Sequence, residues 1–92
     1  MSDRKKVYEA IDEERDYQDS LIAKGTFEKT IKTTAEEILM IGHYADKARA
    51  EWTNKYGDIP ALEMVRKIAA LCVRCMENNG IVERDKFWRE MK

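Results

Sequence analysis

One proline, four glycines, one histidine and two cysteines are all that this 92-residue chain holds of the residues that punctuate sheets, fill metal sites or staple small secreted domains. So few turn-formers exclude a fold of many short strands. With 38% charged and 43% apolar residues, the composition points to helices rather than sheet or disorder. No apolar run approaches the ~20 residues of a membrane span, and the opening MSDRKKVYEA lacks the apolar stretch of a secretory signal, so a cytoplasmic location is expected. A formal net charge of -1 removes the basic excess that a general nucleic-acid binder carries. His43 with Cys72 and Cys75 makes at most three ligands, where zinc takes about four. The spacing C-V-R-C falls inside a helical pattern without the strand-to-helix context of a redox site, so the thiols read as buried. There is no Gly-rich phosphate loop, nucleophile elbow or EF-hand pattern.

What is present is helical periodicity. The spacing predicts a first helix from about Asp3 to Ile22. A second starts near TTAEE, where Thr33 with Glu36 or Thr34 with Glu37 suits a capping box. It ends near Tyr56 and Gly57, with Gly57 suited to a left-handed C-terminal turn. Asp58 and Pro60 open a third helix that closes at Asn78-Asn79-Gly80. The tail, residues 81–92, reads as a short amphipathic helix bearing Phe87, Trp88 and Met91. The fold class is therefore all-α: one domain over residues 1–92, a bundle of three long helices plus a short C-terminal helix. A chain this short buries little surface alone, so assembly as a homo-oligomer is expected, with the tail packed between subunits.

The second helix carries an apolar stripe of Ile38, Ile41, Ala45, Ala48 and Trp52. The third is apolar around most of its circumference, which makes it the central helix, with a narrow solvent stripe of Glu63, Lys67, Ala70, Arg74 and Glu77. Arg66 stands apart from that stripe, in an apolar row with Leu62, Ala69 and Val73. A guanidinium so placed is paired with a carboxylate, Glu14 or Glu37, or positioned for an anion.

The first helix poses the sharper question. Val7, Ile11, Glu14, Gln18 and Leu21 share one face in steps of four and three, yet two of the five are polar. They are either satisfied inside the fold or line a pocket. Charge is also uneven: residues 1–22 hold four basic groups against seven acidic, whereas residues 23–34 hold Lys24, Lys29 and Lys32 against Glu28 alone. A basic loop thus follows an acidic helix. Such lysines are usually just solvated; the other reading is an anion site.

The run ERDYQD, then AEEILMIGHYADKARAEW, then ALEMVRKIAALCVRCMENNG resembles small helical proteins of bacteriophage genomes over roughly residues 7–80, and more distantly the MazG-like all-α nucleoside triphosphate pyrophosphatases. Those enzymes hold magnesium with an EExxE run and a later ExxD pair. Here Glu36 and Glu37 match, but Met40 stands at the third acid's position; Glu63 matches, but Arg66 stands at that of the Asp. An Arg in such a cluster turns a cation site into one that meets phosphate directly. The function expected is non-catalytic sequestration of a nucleotide-derived signal. By resemblance the setting is a phage protein in the host cytoplasm that inhibits bacterial immune signalling. The expected ligand-binding set is Glu14, Arg15, Tyr17, Gln18, Lys24, Lys32, Glu37 and Arg66, with no catalytic residue, no cofactor and no membrane or general nucleic-acid partner. The alternatives are a MazG-like pyrophosphohydrolase using Glu14, Glu36, Glu37 and Glu63 with magnesium, and a helical protein-interaction module.

Overall fold

A computed structural model of the chain describes residues 3–25, 32–55 and 57–86. It contains three helices, α1 (Arg4–Ala23), α2 (Thr34–Lys55) and α3 (Asp58–Asn79), and no strand among the described residues. The all-α expectation holds, with boundaries within a residue or two of those read from sequence.

Local chemistry sets those boundaries. Asp3 caps α1 by accepting the backbone N–H of Lys5. At the start of α2 the capping box forms as Thr33 with Glu36. The Glu36 N–H donates to Thr33 Oγ1 at 3.2 Å, and the Thr33 N–H donates to Glu36 Oε1 at 3.1 Å, which satisfies two orphan donors reciprocally. Gly80 ends α3 at φ 117°, its N–H donating to Met76 O, a conformation that suits a residue without Cβ. Gly57 departs from expectation. It is extended, at φ -167°, and serves as the N-cap of α3 rather than as a left-handed stop for α2.

The expected short C-terminal helix over residues 81–92 falls only partly within the described residues. Residues 81–85 run without regular secondary structure. Gly80 turns the chain out of α3, and β-branched Ile81 and Val82 follow it, both exposed. Phe87, Trp88 and Met91, and with them the intersubunit role of the tail, lie outside the described residues, as does Lys29 of the basic loop.

Only two positions link α2 to α3, so the pair folds back as an antiparallel hairpin. α1 packs on α3 alone; among the described residues α1 and α2 do not pack on each other. The central role expected of α3 is thus observed, in an open three-helix arrangement. Among the described residues its apolar core is slight: Ala70 and Leu71 are the buried hydrophobic residues, at 0% and 4% exposure.

Two predicted faces are corrected by this packing. Ala70 was expected in the solvent stripe of α3 and is fully buried, while Arg74 of the same stripe is mostly covered. The physical reason is charge. The flanking helices bring the Glu37 carboxylate to Arg74 and the Arg15 guanidinium to Glu77, so Ala70 and Arg74 are covered, while Glu63 and Glu77 stay exposed together with Leu62, Val65 and Met76. On α2, Ile38 and Trp52 of the expected apolar stripe are exposed. The inward stripe is Glu37, Met40, Ile41, Tyr44, Ala48 and Glu51, turned by part of a helical step toward Arg74.

Candidate functional site

The polar face of α1 is resolved by arginines. Glu14, buried, accepts from Arg66 Nε at 2.7 Å. Arg15, also buried, gathers three acceptors: Glu77 through Nε at 2.8 Å, Asp19 through Nη1 at 3.1 Å and Gln18 through Nη1 at 3.4 Å. The Glu77 hydrogen bond, foremost, raises the pKa of Arg15 above its ordinary value despite the opposing cost of burial. Gln18 therefore serves Arg15 on its own helix, and Glu14 serves Arg66 on α3.

The α2 side is a separate site. Glu37, with no exposed surface, accepts from Arg74 Nε and Nη2, each at 3.0 Å, in a bidentate pair. Met40 Sδ, at the position where an EExxE run has its third acid, lies 3.3 Å from Arg74 Nη2. The buried anion on α2 is thus neutralised by a guanidinium of the same chain. Glu37 does not pair with Arg66. In an antiparallel hairpin, Glu37, eighteen residues before the end of α2, lies opposite Arg74, sixteen residues after the start of α3. Arg66 is displaced from Arg74 by about 12 Å along the helix at 1.5 Å per residue.

Between the N-terminal halves of α1 and α3 lies an open groove of about 480 Å³. Val7, Ala10, Ile11, Leu62 and Ala69 form its apolar walls, and Lys6, Glu63 and Arg66 supply its charges. Of the eight expected binding residues, Arg66 lines this groove. Glu14 anchors Arg66 from beneath; Arg15 and Gln18 are joined to each other on α1. Glu37 belongs to the α2 contact. Tyr17 and Lys24 are exposed on the surface, and Lys32 is partly covered, its carbonyl accepting from Asn79 Nδ2 at 3.1 Å.

Sequence reasoning missed Lys6, Val7, Ala10 and Ile11 as groove residues, although Val7 and Ile11 already stood on the helix-one stripe. It also missed Arg74 and Glu77 as ion-pair partners. Equal distance from the α2–α3 turn was a usable signal for the first pair.

The carboxylates of the magnesium-dependent alternative are dispersed. Glu36 holds the α2 cap, which also lowers its pKa through the Thr33 backbone and hydroxyl bonds, Glu37 holds Arg74, Glu14 holds Arg66, and Glu63 edges the groove. Among the described residues, no three His, Cys, Asp or Glu side chains gather as a metal-holding group. Cys72 and Cys75 are free thiols, and burial foremost pushes the Cys72 pKa up, the direction of an unreactive cysteine. His43 is exposed and meets Tyr44 edge to face at 5.5 Å. No helix among the described residues is long and apolar enough to cross a membrane.

Fold and groove together define a small all-α protein with an apolar-walled groove edged by an anchored arginine. No family model, curated protein or solved structure matches this chain.

Proposed function

We propose that the chain binds and sequesters a nucleotide-derived anion without turning it over, in the groove between α1 and α3. One observation carries this reading: the Arg66 guanidinium is tied to buried Glu14 through Nε, while among the described residues neither of its Nη groups has a hydrogen-bond partner. An arginine held by one nitrogen and open at two is pre-organised to grip a phosphate bidentately. The groove volume lies within the ~300–1,000 Å³ of small-molecule sites, and its apolar walls suit the face of a base or the body of a ribose. Lys6 adds a second cation, and Glu63 an acceptor for base or ribose donors.

The absence of turnover is part of the proposal, and its support is the dispersal of the carboxylates, each engaged elsewhere or alone at the groove edge. The phage setting and the host immune signal rest on resemblance alone: a protein of this kind would act in the host cytoplasm as an inhibitor of signalling. Homo-oligomeric assembly belongs to the same reading, supported by the slight core.

The test is to incubate the protein with cyclic dinucleotides and cyclic ADP-ribose isomers, remove free ligand, and heat the complex. Recovery of intact ligand only after denaturation is the expected result. Free ligand at every stage would remove the reading, and recovery of a hydrolysed product dependent on magnesium would replace it with the enzyme.

A further inference from the structure

The groove holds a charge that an anion site does not need. Glu63 lines it together with Lys6 and Arg66, and is exposed. Among the described residues it makes no ion pair, neither with Lys6 or Arg66 in the groove nor with Lys67 one turn along α3. Glu63 and Arg66 are three apart on α3, which sets their Cβ atoms about 5–6 Å from each other on one face. Glu14, the other carboxylate here, has a structural task, since it anchors Arg66 Nε at 2.7 Å. Glu63 holds no partner in the fold.

Counting both carboxylates changes the character of the site. Lys6 and Arg66 are matched by Glu14 and Glu63, so the groove is neutral in sum, while the Nη groups of Arg66 still offer a directional phosphate contact. Such a groove rewards the geometry of a phosphate and does not reward added charge. A phosphodiester carries one negative charge per phosphate. A terminal phosphate carries about 1.5 to 2 near pH 7, and a triphosphate chain more. Each further charge held about 7 Å from Glu63 lowers affinity by roughly threefold to fiftyfold, for effective dielectric constants from that of water down to ~20.

We propose that Glu63 is the specificity residue of the groove: it repels nucleotides with terminal phosphates, nucleoside triphosphates above all, and leaves the site to ring-closed nucleotides, whose every phosphate bears a single charge. This deepens the nucleotide reading given above and rests on it. The selection works by repulsion rather than by an added contact. Sequestration requires it, because a binder that ATP could fill would be occupied before any scarcer signal arrived. The same carboxylate still accepts a base or ribose hydrogen bond from a ligand that brings no surplus charge.

The test compares ring-closed and ring-opened forms of one nucleotide. Cyclic di-AMP and cyclic di-GMP, their linear 5′-phosphorylated forms, and ATP are titrated calorimetrically, with divalent cations chelated, into the unaltered chain, Glu63→Gln and Glu63→Asp. Glu63 is exposed, so both substitutions leave the fold intact, as far-UV circular dichroism checks. The unaltered chain should prefer the ring-closed forms. Glu63→Gln should narrow that preference by roughly tenfold, by tightening the linear forms and ATP, and Glu63→Asp, which keeps the charge, should retain most of it. A preference that survives Glu63→Gln unchanged would be one of ring shape and would overturn the proposal. Equal binding of both forms by the unaltered chain would also overturn it, and would leave the sequestration reading standing. If none of these nucleotides binds any of the three proteins, that reading falls and the role of Glu63 falls with it.

Discussion

Arg66 on α3 holds Glu14 on α1 through one bond, Nε to Oε1 at 2.7 Å, reaching from a side chain 43% exposed to one 7% exposed. The asymmetry divides the labour within the pair. Glu14 needs the cation, because a buried carboxylate without a partner is costly. Arg66 needs only one of its nitrogens to supply it, and the remainder of the fork stays at the groove.

Arg66→Lys separates those two tasks. An ammonium keeps the charge that Glu14 requires but lacks the planar fork, so helicity should be retained while nucleotide affinity falls by roughly tenfold or more. That loss corresponds to one charge-assisted hydrogen bond of about 1.5–3 kcal/mol, with about 1.4 kcal/mol per decade. Titration calorimetry with a cyclic dinucleotide reads it, and unchanged affinity in a folded Lys variant would show that the guanidinium does not contact the ligand.

The capping box gives α2 an acid-sensitive start. The Thr33 backbone bond, then the Thr33 hydroxyl bond and the nearby Lys32 charge, hold the Glu36 carboxyl below its ordinary value of 4.5. A lowered folded-state pKa contributes stability that is present above the ordinary value and lost as pH falls through the folded one. Thermal melts between pH 6 and 3 should therefore lose stability at the acid end, and Thr33→Ala should weaken that dependence by removing the hydroxyl partner. Equal pH slopes for the two proteins would show that Glu36 does not couple to folding.

Much of this architecture was legible in the sequence. Asp3, Thr33 with Glu36, and Gly80 act within one turn of chain, so local rules suffice to place helix ends. Glu14 with Arg66 was also readable, since both stood out as charges in apolar rows. What sequence periodicity did not resolve is which apolar stripe faces inward. Leu62, Val65 and Met76 on α3 and Ile38 and Trp52 on α2 are as apolar as any core residue, yet lie in solvent. A period of 3.6 marks a stripe without saying whether its partner lies in the same chain. Wheel position also leaves Glu37 open beside Glu14 as a partner for Arg66; distance along the helix decides for Glu14, because about 12 Å of rise separates Arg66 from Glu37's partner, Arg74.

Cys72 reports on its surroundings. Its thiol pKa is raised, chiefly by burial and then by the Cys75 and Glu37 charges. The thiolate is the reacting form, so alkylation at pH 7.5 should be slower at Cys72 than in an unfolded control, with the rate climbing as pH rises through the elevated value. Peptide mapping after iodoacetamide treatment in a Cys75→Ala chain measures it. A rate equal to that of the unfolded control would mean that the α3 surface around Cys72 is open to water.

The most severe single loss is predicted at Arg74. Arg74→Ala leaves Glu37, fully buried, without its bidentate partner; breaking such a pair from one side typically costs about 3–5 kcal/mol. Replacing both members with apolar residues of similar shape, Arg74→Met with Glu37→Leu, removes the stranded charge along with the attraction, and should recover most of that loss. Arg49 and Asp46 supply the contrast. They also form an ion pair, but with 76% and 70% of their side chains exposed, so Arg49→Ala should change stability by no more than about 0.5 kcal/mol. Chemical denaturation of the three variants and the unaltered chain at fixed protein concentration ranks them. If Arg74→Ala proved as mild as Arg49→Ala, Glu37 would have to be reached by water or by another cation, and the pairing of α2 to α3 would rest on packing alone.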